Sequence, residues 1–391
     1  MTKYRKAAFI VAAAAALGAT SAQAEEDAFR VGGIVSLSGA YGVIGESMRK
    51  GAELAADVRG GTVLGAPIVF EWEDTETNPQ IAVQKASGLM GKGVDMLFGA
   101  VSSGSTLAVM KVSERRGVPL LVTLSASDRI TGEDMASNTF RTSNPVRMEN
   151  TMMAEFAGRE KLDKIYAVVA DYGVGRDMWE DLKGRLTSIG AEIVAEDYPP
   201  LGGRDYALII DKIQKTDADG VVMIMTGGDA ITFLKQSGQV GLKDEKQIFG
   251  TMVMDEMMGE AVGNLSYGVN STLRYHFAID NEVNRAFVTA FQDKYGTYPD
   301  QAAGEAYDGM AWFLDVVDQT GVWDQQAWIE AFSTSTNTNS IEGVKIMRAC
   351  DHQAAQSGLF GKAVQGEAPY PDVTMAISYQ FDSETLFPAC D

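Results

Sequence analysis

Three stretches of the chain gather side chains able to hold a small anion. Ser102-Ser103-Gly104-Ser105-Thr106 follows the apolar run 94–101 and opens a helical pattern. Hydroxyls at a helix start, together with the unpaired N–H groups and the dipole found there, can hold a carboxylate. One serine would suffice as an N-cap, whereas this run of hydroxyls exceeds what a cap requires. Ser125-Ala126-Ser127-Asp128 makes a second hydroxyl-rich turn after the run 118–124, and Asp171-Tyr172-Gly173-Val174-Gly175 places an aromatic after the run 164–170. Tyr172 fits either a ligand contact at a cleft mouth or a packing position.

Other chemistries find less support. Ala100-Val101-Ser102-Ser103-Gly104 is one residue short of the G-x-S-x-G elbow, which also needs a histidine base backed by a carboxylate. His276 and His352 are the only histidines; they read as lying in an edge-like strand and a C-terminal turn, and neither has ligand-like spacing to Cys350 or Cys390. Neither G-x-G-x-x-G nor G-x-x-x-x-G-K-[ST] opens a helix. No metal, nucleotide or other cofactor is expected. A secreted hydrolase stays only as a rival class.

With 33 Lys and Arg against 53 Asp and Glu, the net charge of -20 repels nucleic acid and anionic membranes. A length of 391 residues exceeds what one core usually fills, so two lobes are expected. Lys3, Arg5 and Lys6 form a basic start. The apolar stretch 7–19 is shorter than the about 20 residues needed to cross a bilayer, and Ala22-Gln23-Ala24 is a cleavage signature. Residues 1–24 therefore read as a signal peptide without a lipid-attachment cysteine, with the mature chain starting at Glu25 and exported as a soluble protein. In an oxidising compartment Cys350 and Cys390 pair by default. Closing a loop of about 40 residues is worth roughly 4 kcal/mol in the chain-entropy model.

The elements that carry these turns alternate almost without interruption. Strands are expected at 30–37, 68–72, 94–101, 118–124, 164–170, 192–198, 220–226 and 247–254. Helices are expected at 47–58, 82–90, 105–116, 175–189 and 230–240. Such alternation implies right-handed crossovers and parallel sheets with helices on both faces, hence an α/β fold of two doubly wound lobes. The boundary falls near 140–147, where Pro145 interrupts the alternation, and a fresh series begins at 164. From 281 the pattern is mainly helical, over 284–295 and 302–320. The Ser/Thr/Asn run 333–340 reads as a surface loop or a hinge.

An ordered series of motifs across the mature chain resembles the type I periplasmic solute-binding proteins of ABC transporters, the leucine/isoleucine/valine-binding group. It runs through Ser36-Leu37-Ser38-Gly39-Ala40-Tyr41-Gly42 with Gly45 and Gly51 to Leu54, Glu73-Asp74-Thr75 with Asn78-Pro79, and Gly99 with Ser102-Ser103. It continues through Ser125 to Asp128 with Thr131, Phe140-Arg141, Asp171-Tyr172-Gly173, Gly227-Gly228, Ala306-Tyr307-Asp308 and Asp351-His352-Gln353. The resemblance implies two Rossmann-like lobes joined by three crossover segments: 25–143 plus 276–342, and 144–275 plus 343–391. It also implies a monomeric, non-enzymatic periplasmic protein that takes one small organic solute, an amino acid or related carboxylate, in its cleft and presents it to an ABC membrane permease. A receptor-like sensor on the same fold is the alternative.

By the same resemblance Ser102 and Ser103 take the ligand's carboxylate, Ser125 and Ser127 share the turn beside it, and Tyr172 faces them across the cleft. Tyr41 and Ile44 stand where the family places an aromatic against the ligand's side chain. Amino-acid binders carry an acid for the ammonium after the strand matching 247–250; this chain reads Thr251-Met252-Val253 there, leaving Asp229, Asp255 or Glu305 as substitutes. An ammonium without one would be poorly paired in a closed cleft. A carboxylate lacking an amine is therefore the competing ligand, and Met252 suits an apolar body.

Overall fold

The computed structural model describes residues 28–387 and 390, so the expected signal peptide and the mature start at Glu25 lie outside the described residues. The first sheet holds β1 (Phe29–Val35), β2 (Thr62–Val63), β3 (Ala66–Asp74), β4 (Met96–Gly99), β5 (Leu120–Val122) and β6 (Thr139–Arg141), in the order β2-β3-β1-β4-β5-β6. Every pairing is parallel except β2 with β3. Short strands with near-continuous burial, such as Met96–Gly99, are what a sheet covered on both faces requires.

Single turns aside, the helices are α1 (Gly42–Val58), α2 (Pro79–Gly91), α3 (Ser103–Arg116), α4 (Val146–Glu160), α5 (Gly173–Ser188), α6 (Ala207–Gln214), α7 (Gly227–Gln239), α8 (Glu256–Val262), α9 (Glu282–Tyr295), α10 (Gln301–Thr320) and α11 (Gln325–Ser333). Alternation along the strands divides the first core. Phe98 and Leu121 join Met48 of α1 and Phe313 of α10 on one face. Leu97 and Leu120 meet Leu89 of α2 and Val109 of α3 on the other. The backbones of α1 and α10 touch at Gly51, where a Cβ would lie 2.1 Å from the Ala303 carbonyl oxygen.

The second sheet holds β7 (Lys164–Val169), β8 (Glu192–Asp197), β9 (Gly220–Ile224), β10 (Gln247–Gly250) and β11 (Asn270–Leu273), all parallel. Tyr166 and Met223 pack with Ile210 of α6 and Phe233 of α7 on one face; Ile165 and Phe249 pack with Phe156 of α4 and Trp179 of α5 on the other. Three short strands, β12 (Thr336–Asn337), β13 (Lys345–Met347) and β14 (Ala354–Ala355), form a separate small sheet. The expected pair of doubly wound units is thus present.

Several expectations need correction. The C-terminal region is not mainly helical: β15 (Gly358–Gln365) and β16 (Val373–Phe381) add an antiparallel hairpin, giving the order β16-β15-β11-β10-β9-β7-β8. α4 fills 146–160, where no helix was expected, because Pro145 marks its extended N-cap rather than a break. α1 begins at Gly42, ahead of the expected 47, and the Ser47 hydroxyl donates to Asp300. His276 follows an interior strand rather than an edge, and is 2 % exposed. The run 333–340 is partly buried; Ser340 Oγ donates to Asp308 at 2.9 Å.

Cys350 and Cys390 form the expected disulfide, with Cα atoms 5.9 Å apart. Among the described residues no helix is long and apolar enough to cross a membrane.

Candidate functional site

β4 ends at Gly99, whose φ of +122° favours glycine and whose Cβ, were there one, would lie 2.4 Å from the Ile34 carbonyl oxygen. The chain then turns off the carboxyl edge of a parallel sheet, where open α/β folds bind ligands. Ser102 caps α3: its Oγ accepts from Ser105 N at 3.2 Å and donates to Ser105 Oγ at 2.9 Å. Ser125 is 2 % exposed; its Oγ donates to the Ala100 carbonyl at 2.8 Å and lies 2.6 Å from Thr106 Oγ1, locking the two hydroxyl-rich turns together.

Ser103 and Ser127 are placed differently. Ser103 Oγ accepts from Ser127 N at 3.2 Å, which leaves its proton for another acceptor. Among the described residues nothing bonds the Ser127 hydroxyl. The N–H groups of Ser103 and Gly104, in the first turn of α3, have no intrahelical partner. Two hydroxyls and two amides therefore remain at this helix start for an anion.

The turn is held from below by Arg141, fully buried at the end of β6. Its guanidinium donates to the Ser127 carbonyl at 2.7 Å, the Ser125 carbonyl at 3.2 Å, Thr131 Oγ1 at 2.7 Å and Gln353 Oε1 at 2.5 Å. Gln353 in turn donates to the Ser143 carbonyl at 2.8 Å. Burial pulls the arginine down to about 9. A second buried arginine, Arg274, donates to Glu149 of α4 at 2.8 Å and to the Leu124 carbonyl, joining the segment after β11 to both sheets. These arginines carried no assigned role in the sequence reading, because the polar residues before them, Asn138-Thr139 and Asn270-Ser271-Thr272, conceal that both segments are buried.

Tyr172 stands at the N-cap of α5, half-buried and making no cap bond. Burial, and then the Tyr41 phenol, push it above the usual tyrosine range, so the two phenols, one from each sheet's loops, lie near enough to feel one another. Tyr41 and Ile44 rest partly buried on the first core. Met252 follows β10 in a left-handed conformation, φ 49°, with its N–H donating to Thr272 Oγ1 at 3.0 Å. Thr251, Val253 and Met254 are buried, so Met252 is the partly exposed side chain of that loop.

The expected acids each have partners within the fold. Asp229 is 9 % exposed and accepts from Gly202 N at 3.0 Å. Asp255 caps α8, accepting from Met258 N at 2.8 Å and from Gln301 Nε2 at 3.3 Å. Glu305 is fully buried beside Lys345 Nζ at 3.4 Å, a lysine that also meets Asp308 at 3.0 Å and Glu342 at 2.8 Å. Burial raises Glu305 to about 7. Burial alone would lower Lys345, but the Asp308, Glu305 and Glu342 carboxylates override it and keep the ammonium charged.

A separate groove of about 840 Å³ lies between α1 and α8, lined by Glu46, Lys50, Glu256, Glu260 and Tyr298 among others; none of the ten expected ligand residues lines it. Among the described residues no group of three or more acids, histidines and cysteines could hold a metal.

Two mainly parallel sheets in series, with an anion-ready helix start at the carboxyl edge of the first, define an α/β fold of two units. Residues 28–368 match the periplasmic binding protein family model, and the chain belongs to that family. It is 27 % identical over 325 residues to Leu/Ile/Val-binding protein homolog 6 of Brucella melitensis biotype 1, covering 81 % of this chain and 82 % of that one. Among solved structures it resembles the R. palustris ABC-transporter solute-binding protein in complex with benzoate (25 % identity, TM-score 0.79, 90 % and 97 % of the two chains). It also resembles a leucine-binding protein from Thermotoga maritima (20 %, TM-score 0.78, 90 % and 98 %). The relatives and structural neighbours are binding proteins.

Proposed function

We propose that this chain is an exported, periplasmic solute-binding protein that captures one small organic carboxylate between its lobes and delivers it to an ABC permease. The observation that carries the reading is the start of α3, where Ser103, Gly104 and Ser127 keep donors that the fold itself does not use. The lobes are 25–143 with 276–342 and 144–275 with 343–391. In support, α10 packs on the first sheet and the β15–β16 hairpin extends the second. The carboxylate lacks an α-ammonium. Asp229, Asp255 and Glu305 are each engaged by other groups, and Met252 offers an apolar contact in their stead. Relatives named for branched-chain amino acids and a neighbour holding benzoate mark the two ligand classes to be separated.

A thermal-shift screen of the mature chain separates them, since a ligand of the native state raises the melting temperature by mass action. Benzoate, 4-hydroxybenzoate and short-chain acids are expected to stabilise the protein at least as strongly as leucine, isoleucine and valine. Exclusive stabilisation by branched-chain amino acids would overturn the amine-free reading; no shift with any carboxylate would overturn the ligand class itself.

A further inference from the structure

The groove between α1 and α8 ends on a cluster of carboxylates contributed by elements of both sheets. Asp255 and Glu256 open α8, which packs with the second sheet, and Asp300 caps α10, which packs with the first. Gln301 ties the two sides by donating to Asp255 at 3.3 Å while accepting from Arg274 N at 2.8 Å, and the Ser47 hydroxyl of α1 donates to Asp300. Among the described residues no lysine or arginine pairs with these three acids. Among the described residues the basic side chain that contacts them is His276, in the segment that leaves β11, with Nε2 2.9 Å from Glu256 Oε1. Both atoms are shielded from solvent, yet neither makes a hydrogen bond in this geometry.

The surrounding charges do not neutralise the cluster. From α1, Glu46 is paired with Arg49, and the Lys50 ammonium lies over the Tyr295 ring. Glu260 of α8 and Asp372 of the loop before β16 add negative charge to the groove walls, and Tyr275 is held neutral by burial. Bringing like charges of two lobes together where they are partly withdrawn from water is unfavourable unless protons are bound.

We propose that Asp255 and Asp300, brought together from the two lobes beside the Glu256–His276 contact, form a proton-sensitive latch, in which protons bound by these two carboxyls hold the lobes in the arrangement seen here and their loss opens the groove between α1 and α8. Burial raises Asp255 to about 7 and moves Asp300 in the same direction, so the latch operates near neutral pH. A group bound more tightly by protons in one arrangement favours that arrangement below its raised pKa and ceases to do so above it. The latch is separate from the carboxylate cradle and does not depend on the ligand's identity.

Small-angle scattering of the ligand-free mature chain tests it. On going from about pH 6 to about pH 8, the radius of gyration is expected to rise in the native sequence and to stay constant in Asp255→Asn, which keeps the N-cap because asparagine caps as well as aspartate. Asp300→Asn should flatten the same response, and circular dichroism on both variants verifies that they are folded. Unchanged dimensions of the native chain over that range would overturn the proposal, as would an undiminished change in both folded variants.

Discussion

At the scale of single residues, the adjacent serines of the first turn separate into a cap and a contact. The Ser102 proton and lone pair are engaged within the α3 cap, whereas Ser103 accepts from Ser127 N and still has its proton to give. Ser102→Ala should therefore lower stability by about 0.5–2 kcal/mol, the usual cost of a lost cap, with little change in affinity for a stabilising carboxylate. Ser103→Ala should do the reverse, weakening binding by about 1–3 kcal/mol, because a hydrogen bond to a charged group is among the strong ones. Calorimetric titration beside thermal melts reads both quantities. Equal loss of affinity in the two variants would show that Ser102 also touches the ligand. From the sequence, both a cap and a carboxylate contact were legible in this run, but residue type and spacing do not reveal which hydroxyl the helix consumes.

At the scale of elements, the parallel strands and their crossover helices were legible because alternating apolar runs and amphipathic stretches have distinct periods. α4 was not, because its proline sits where a chain break and an N-cap read alike, and the β15–β16 hairpin was not, because its glycines at 358 and 361 obscure the two-residue period. The buried charges were the least legible of all. Lys345 of β13 and Glu305 of α10 are 40 residues apart in sequence and meet only in the folded chain. That contact has a measurable consequence. Burial holds Glu305 at about 7 against an ordinary 4.5, so the native state binds this proton more tightly than the unfolded chain. The stability it contributes is full below the ordinary value and is lost as pH rises through about 7. The melting temperature should fall between about pH 5 and pH 8, and Glu305→Gln should make that fall shallower. An identical slope in the variant would show that Glu305 is ionised throughout.

At the scale of the whole molecule, the chain crosses between its sheets after β6, after β11 and before β15, and each crossing is tied by buried polar groups: Arg141 to Gln353, Arg274 to Glu149 and Leu124, and Gln356 to Asn144. Such ties keep the two units in register, and hinge closure about these crossings is the motion that the proposed ligand capture requires. Tyr41 and Tyr172 lie near enough for the one phenol to raise the other. The cradle at the start of α3 and the acidic groove between α1 and α8 are separate places, and a small carboxylate should choose the first, since the groove's acids would repel it. The most direct measurement is a crystal structure of the mature chain with whichever carboxylate raises its melting temperature most. The carboxylate is expected within hydrogen-bond distance of the Ser103 and Gly104 amides and the Ser103 and Ser127 hydroxyls, with the remainder of the molecule against Met252 and the two tyrosines; a ligand seated in the groove beside Glu46 and Glu256, or bound with its carboxylate away from α3, would contradict it.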